Sequence, residues 1–281
     1  MVTFNGKQYA DWTAAKAGIE LFPDPAPSAT VAIADPPAQQ TGPADATMPV
    51  PAPTAAPQAK RRSLAEKYRP TRLADVVGQR EAIEQLQAFA ADPYPAAFIL
   101  AGGTGTGKTS SAIALAADLG CAVDQDEFGG VYSIASGEHT ADALRELWPL
   151  LWQRPMMGSG WKIVIVNEVE SLNGKIEQLW LDKLESIPAS TVIVFTTNAI
   201  ETLPERFRDR CIGGVIVFEA QAGKLADDAR ALAGRIWQEE TGADIPADVM
   251  EKVIQRATAG GKISFRRVVQ NMVPLLAGKG K

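Results

Sequence analysis

Disulfide and metal chemistry have little to work with in this chain. Its 281 residues include two cysteines, Cys121 and Cys211, and one histidine, His139. Two thiols build no disulfide framework, and one imidazole makes no zinc constellation. No apolar run reaches the roughly 20 residues that a bilayer span requires, and Met1-Val2-Thr3-Phe4-Asn5-Gly6-Lys7 lacks the apolar core of a signal peptide. A soluble protein of the reducing cytoplasm, without a membrane partner, is expected. Positive charge is not in excess either: 28 Lys and Arg against 33 Asp and Glu leave a net charge of −5. No global field draws nucleic acid, although a groove needs only a few local cations. His139, in Ser136-Gly137-Glu138-His139-Thr140, has no second histidine nearby and is expected at the surface, in a loop before a helix.

What is present is centred on Gly102-Gly103-Thr104-Gly105-Thr106-Gly107-Lys108-Thr109, which satisfies the phosphate-binding pattern G-x-x-x-x-G-K-[ST] at each fixed position. The buried-strand run 96–101 precedes it, and a helical pattern of small and apolar residues, beginning Thr109-Ser110-Ser111, follows it. Such a loop turns backbone N–H groups inward around a triphosphate, and the helix start adds partial positive charge. Gly103, Thr104, Gly105, Thr106, Gly107 and Ser110 are therefore candidate ATP contacts. Lys108 would reach the β and γ phosphates, and the Thr109 hydroxyl would ligand Mg²⁺.

The rest of the chain divides by composition, and 46% hydrophobic residues suffice for one sizeable core and a small second one. Residues 1–22 form an island with a hairpin pattern, Val2-Thr3-Phe4 and Lys7-Gln8-Tyr9 around Asn5-Gly6, and a short helix starting at Asp11. The alternatives are an inert leader and a docking or recognition segment with an unidentified partner, and the aromatics Phe4, Tyr9, Trp12 and Phe22 favour the second. Residues 23–60 hold ten of the nineteen prolines and are expected to be a disordered, semi-stiff linker. It closes on Lys60-Arg61-Arg62, a solvated boundary. An α/β domain is expected over 61–221, where apolar strands near 96–101, 130–135, 161–166, 191–196 and 215–218 alternate with helical patterns, as in a parallel sheet. From 222 to 277 the pattern is helical alone, over 224–240, 246–258 and 264–276, and predicts a small all-helical lid.

Hydrolysis needs more than a grip on phosphate: the metal must be held and a water oriented. The strand ending at Val166 runs into Asn167-Glu168, which places Asn167 at the metal and makes Glu168 the candidate base. Thr196-Thr197-Asn198 ends the next strand, and ligands gather at the carboxyl ends of parallel strands, so Asn198 is a candidate γ-phosphate or water contact. Glu205-Arg206-Phe207-Arg208-Asp209-Arg210-Cys211 carries three arginines in five residues, either a solvated face or a source of transition-state charge for a neighbour. Arg266 and Arg267 open the last helix.

Taken together, the 63–70 segment Ser-Leu-Ala-Glu-Lys-Tyr-Arg-Pro, then Asp75-Val76-Val77-Gly78-Gln79, the phosphate loop, Asn167-Glu168, Thr197-Asn198 and Asp209-Arg210-Cys211 resemble the AAA+ ATPases. More narrowly they are similar to DNA polymerase clamp-loader motor subunits, the replication factor C small subunits and the bacterial DNA polymerase III gamma/tau family. The resemblance covers roughly 63 to 277 and does not extend to the family's helical collar or to the 1–22 island. It implies an ATP- and Mg²⁺-dependent motor that loads a sliding clamp on primer-template DNA beside sister AAA+ subunits in a ring or open ring. Other readings are a different AAA+ DNA motor, such as a helicase loader or branch-migration ATPase, and a low-turnover nucleotide-binding scaffold. The resemblance also implies roles: Tyr68, Arg69, Pro70 and Val77 line the adenine pocket, Glu168 is the catalytic glutamate, Asn198 is sensor 1, Arg210 is a finger acting on the neighbouring subunit, and Arg266 is sensor 2. Asn167 stands where the family has aspartate, which predicts a slow ATPase, and Asp209 stands where the finger motif has serine.

Overall fold

A computed structural model describes residues 2–4, 7–9 and 63–277, and the chain divides into two units, 1–58 and 59–281. In the first unit, β1 (Val2–Phe4) and β2 (Lys7–Tyr9) pair antiparallel, Val2 opposite Tyr9 and Phe4 opposite Lys7. The helix expected from Asp11, the 23–60 linker and Lys60-Arg61-Arg62 lie outside the described residues.

The second unit begins with α1 (Leu64–Lys67). Ser63 caps it: its hydroxyl accepts from the Glu66 N–H, and the Glu66 carboxylate accepts from the Ser63 N–H, satisfying two orphan donors reciprocally. After α2 (Arg80–Ala91), β3 (Ala96–Gly102) enters the core and the phosphate loop turns into α3 (Lys108–Asp118). There follow β4 (Val131–Ile134), α4 (Ala141–Leu150), β5 (Lys162–Val166), α5 (Gly174–Leu184), β6 (Thr191–Thr197), α6 (Glu205–Arg210) and β7 (Gly214–Phe218). Thr140 and Asn173 cap α4 and α5 with their side chains.

The five long strands form one parallel sheet in the order β4-β5-β6-β3-β7. Alternation assigns each side chain to a layer. Phe98, Leu100, Ile163, Ile165, Val192 and Val194 meet α2 and α3 on one face, whereas Ile99, Val164, Val166, Ile193 and Phe195 meet α4, α5 and α6 on the other. Burial on both faces is why these strands read as continuous apolar runs rather than alternating ones. β7, at an edge, is covered on one face only: Ile216 and Phe218 are buried, Val215 and Val217 exposed.

Three helices follow, α7 (Ala222–Thr241), α8 (Ala247–Ala257) and α9 (Phe265–Ala277), around a separate core of Leu232, Ile236, Trp237, Val253, Val268 and Met272. The lid is helical apart from a tiny hairpin between α8 and α9, in which β8 (Thr258–Ala259) pairs with β9 (Lys262–Ile263). No helix of the described residues is long and apolar enough to cross a membrane. His139 departs from expectation: it is half-buried, and both ring nitrogens are enclosed with no hydrogen-bond partner among the described residues. Its loop is drawn tight by bonds from Glu138 N–H to Ala135 O and from Thr140 N–H to Glu138 O.

At the amino ends of β4 and β5, opposite the phosphate loop, large apolar side chains face solvent. Phe128 is 64%, Trp152 65%, Met156 82% and Met157 49% exposed. The Met157 N–H donates to Phe128 O at 3.0 Å, holding two of the four together.

Candidate nucleotide site

The carboxyl ends of β3, β5 and β6 converge on a cavity of about 420 Å³. The chain leaves β3 for the far edge, returns through β5 and β6, and finally places β7 on β3's other side, so the phosphate loop sits where strand order reverses, the usual ligand position in such sheets. Tyr68, Arg69, Pro70, Val77, Thr104 to Ser110, Asn167, Glu168, Asn198 and Arg266 all line the cavity. Gly103 meets the site through its carbonyl, which accepts from Lys108. Arg210 is not brought there: its guanidinium donates to Leu181 O at 2.8 Å and pairs with Glu185 at 2.7 Å, on α5.

Lys108 opens α3 and is 8% exposed. Its Nζ donates to Gly102 O (2.6 Å), Gly103 O (2.9 Å) and Asn198 Oδ1 (3.0 Å). Burial pushes its pKa down to about 8, opposed by the Glu170 carboxylate and reinforced by Arg266. Gly107 starts α3 at φ 104°, a left-handed conformation that glycine adopts without strain.

The Thr109 hydroxyl donates to Asn167 Oδ1 at 3.0 Å, and the Thr196 hydroxyl stands 3.5 Å from the same oxygen. The Asn167 amide nitrogen lies 3.4 Å from Ser133 Oγ and from Ile134 O, so its oxygen faces the site. Neutral, hard oxygens on Thr109 and Asn167 suit a small divalent cation that keeps its waters and leans on substrate phosphates. No group of three or more His, Cys, Asp or Glu among the described residues could hold a metal without such help. Glu168 follows in a left-handed conformation, φ 55°, with its N–H donating to Thr196 Oγ1 at 3.3 Å. A non-glycine residue held there costs about 1–3 kcal/mol, strain that concentrates at functional sites.

Several groups lining the cavity or standing behind it carry no sequence signal. Glu170 is the most consequential: its Oε1 accepts from the Asn198 N–H at 3.2 Å and from the Asn198 amide nitrogen at 3.0 Å. Burial pulls its pKa upward, but hydrogen bonds from the backbone, Thr197 and Asn198 outweigh that and leave it lowered. Glu170 thus fixes which way Asn198 points, and the free amide oxygen is the one that meets Lys108.

The lid closes the cavity with Leu232, Arg235, Phe265, Arg266 and Val269. The Phe265 N–H donates to Gly105 O at 3.0 Å, joining the start of α9 to the phosphate loop. A Cβ on Gly105 would collide with Ser264 Oγ and approach Arg266 Cβ to 3.2 Å. Tyr68 OH and Lys67 Nζ both donate to Glu240 Oε1, at 2.9 and 2.6 Å, tying the segment before the sheet to α7. Burial, then the Glu240 carboxylate, push the Tyr68 phenol up to about 12. Gln79, 5% exposed and left-handed at φ 70°, donates to Glu219 O (2.9 Å) and Thr106 O (3.3 Å), and accepts from the Glu219 N–H (2.7 Å).

Residues 98–217 match the family described as ATPase family associated with various cellular activities (AAA). Replication factor C large subunit of Methanosarcina mazei is 28% identical over 222 residues, 76% of this chain and 34% of that protein. The Saccharolobus solfataricus replication factor C small subunit is 28% identical over 226 residues, 73% of this chain and 64% of its own length. The Picrophilus torridus small subunit is 32% identical over 148 residues, 52% and 46% of the two chains. The chain therefore spans between about a third and two thirds of these relatives. Among solved structures, domain III of the Thermotoga maritima replication initiation protein DnaA superposes with a TM-score of 0.52 at 18% identity, covering 73% of this chain and 86% of that one. A Thermotoga maritima RuvB mutant gives 0.50 at 16% identity, covering 74% and 73%. At such identities the likeness establishes the fold alone.

Proposed function

This chain carries the AAA+ ATPase fold and resembles clamp-loader motor subunits, and from that premise we propose that it is an ATP-driven, clamp-loader-like subunit acting on DNA-replication machinery in the cytoplasm. The observation that carries the reading is the shared cavity: phosphate loop, strand-end polar residues and lid arginine face one volume. Tyr68, Arg69, Pro70 and Val77 would hold the base, and Gly103 to Ser110 with Lys108 the phosphates. Arg266 would answer the γ-phosphate from the lid. Thr109 and Asn167 would hold Mg²⁺, which supplies charge neutralisation across the phosphates. Glu168 would take the water's proton, while Asn198, oriented by Glu170, would aim that water.

Arg210 stands outside its own chain's cavity, the position expected of a group serving a neighbouring subunit. Its pairing with Glu185, both side chains part-exposed, is weak enough to exchange for phosphate. The exposed apolar cluster of Phe128, Trp152, Met156 and Met157 supports a docking face for a sliding clamp. Primer-template DNA would be the other partner. Within this proposal residues 1–22 dock a further partner, 23–60 space it from the motor, 61–221 form the ATPase domain and 222–277 the lid.

The test is ATP turnover with and without a cognate clamp and primed DNA. Stimulation by both, lost in Glu168→Gln protein that still binds ATP, is the expected result; turnover indifferent to clamp and DNA would refute the clamp-loading part. The Thr109–Asn167 pair favours one second reading, a low-turnover nucleotide-binding scaffold, because it brings no negative charge to the metal. Asn167→Asp decides between them. Outer-shell changes alter metal affinity or activity by about 10- to 100-fold, so a slow motor should reach half-maximal rate at lower Mg²⁺ when the aspartate is restored. A scaffold would stay inactive in both forms.

A further inference from the structure

A second cavity, of about 390 Å³, lies at the other end of the sheet, where α4 ends and β5 and β6 begin. Lys162, the first residue of β5, lines it and is only 5% exposed. Strand alternation sets Lys162 on the same sheet face as Val164 and Val166, towards Leu151 at the end of α4. Its ammonium has no hydrogen bond or ion pair among the described residues. Burial accordingly lowers its pKa. Although the residue is buried, its ammonium reaches solvent through the cavity, where none of the lining residues is an aspartate or glutamate that could pair with it, and the Cys121 thiol opposes the effect of burial. A second cation, Arg154, stands at the mouth of the cavity with its side chain exposed. Trp152, Trp161 and Pro188 give the remaining wall apolar surface.

We propose that this cavity is an anchoring site for a carboxylate side chain of a partner protein, an aspartate or glutamate flanked by apolar residues. Lys162 supplies the charge inside the cavity and Arg154 closes over the carboxylate at the rim. The flanking apolar residues are the part of the ligand that the exposed Trp152, Met156 and Met157 beside the cavity would cover. A phosphate fits less well. Phosphate sites draw on helix N-termini and nests of backbone N–H groups, whereas the helix end here is the carboxyl terminus of α4, whose partial negative charge opposes a phosphate dianion about twice as strongly as a singly charged carboxylate. The inference borrows from the docking reading above only the source of the carboxylate, and the nucleotide cavity at the opposite end of the sheet provides an independent control.

Trp152 and Trp161 provide the readout, since their indole N–H resonances report the cavity directly. The full-length, ¹⁵N-labelled protein is titrated with N-acetyl-Leu-Asp-Leu-amide, with the matching asparagine peptide and with inorganic phosphate. Saturable shifts of both indoles with the aspartate peptide alone are expected, weakened at least about tenfold in Lys162→Met protein, while ATP affinity is unchanged. Arg154→Gln, at an exposed position that folding does not depend on, should give a smaller loss and keeps the test valid if Lys162→Met fails to fold. The proposal is overturned if the asparagine peptide binds equally, if no indole shifts, if the substitutions leave binding intact, or if phosphate is the tighter ligand.

Discussion

Lys108 combines burial with three oxygen acceptors, and its pKa near 8 gives ATP binding a definite pH dependence. A triphosphate drawn against the amine favours the ammonium and raises its pKa, so binding above pH 8 must take up a proton. Affinity should therefore be flat below about pH 7 and fall as pH rises through 8, by at most about tenfold per pH unit. Calorimetry in buffers of different ionisation enthalpy would detect the uptake; pH-independent affinity from 7 to 9.5 would contradict it. Glu170 yields a second expectation. Glu170→Gln keeps the size but brings an amide that can point its N–H groups at Asn198, releasing that side chain. Turnover should drop about 10- to 100-fold with ATP affinity nearly unchanged, as for loss of a positioning partner, and Glu170→Asp should restore part of the rate. A parallel fall in affinity would mean that Glu170 merely supports the loop. Lys108, Thr109, Asn167 and Glu168 were legible because the phosphate-loop pattern and a strand end fix them locally. Glu170 was not. It reaches Asn198 only because Glu168 turns left-handed and starts a 3₁₀ turn, Val169–Ser171, and nothing about a glutamate announces that turn.

The strands were legible for a physical reason: β3, β5 and β6 are buried on both faces, so their sequences are unbroken apolar runs. The three lid helices also were, to within one or two residues at their ends, whereas α1 and α6, of four and six residues, are too short to show a helical period. β8 and β9 were not, since two-residue strands carry no period. Nor could the sequence disclose that α9 begins against the phosphate loop, a contact between segments far apart in the chain. Gly105→Ala tests that contact. At φ +78°, with Ser264 in the way, the added methyl strains the loop by about 1–3 kcal/mol and pushes the lid off. Amide exchange at Phe265 should accelerate and ATP affinity fall, while the sheet amides keep their protection. Unchanged exchange at Phe265 would show that the lid is held elsewhere.

For the whole molecule, the position of Arg210 predicts that one chain alone is an incomplete enzyme. Arg210→Ala and Glu168→Gln proteins should each be inactive, and mixing them should restore part of the turnover by creating boundaries with both residues intact. No recovery at any ratio would remove Arg210 from a shared site. The lid in turn is joined to the sheet domain at Gln79, whose single amide group grips Thr106 of the phosphate loop and both backbone groups of Glu219, where β7 has just ended. Through that one amide the backbone up to Glu219 is bonded to the nucleotide loop, so the chain leading into the lid starts, at Ala220, one peptide bond from a group that senses the loop directly, and loop and lid share a single side chain as their joint.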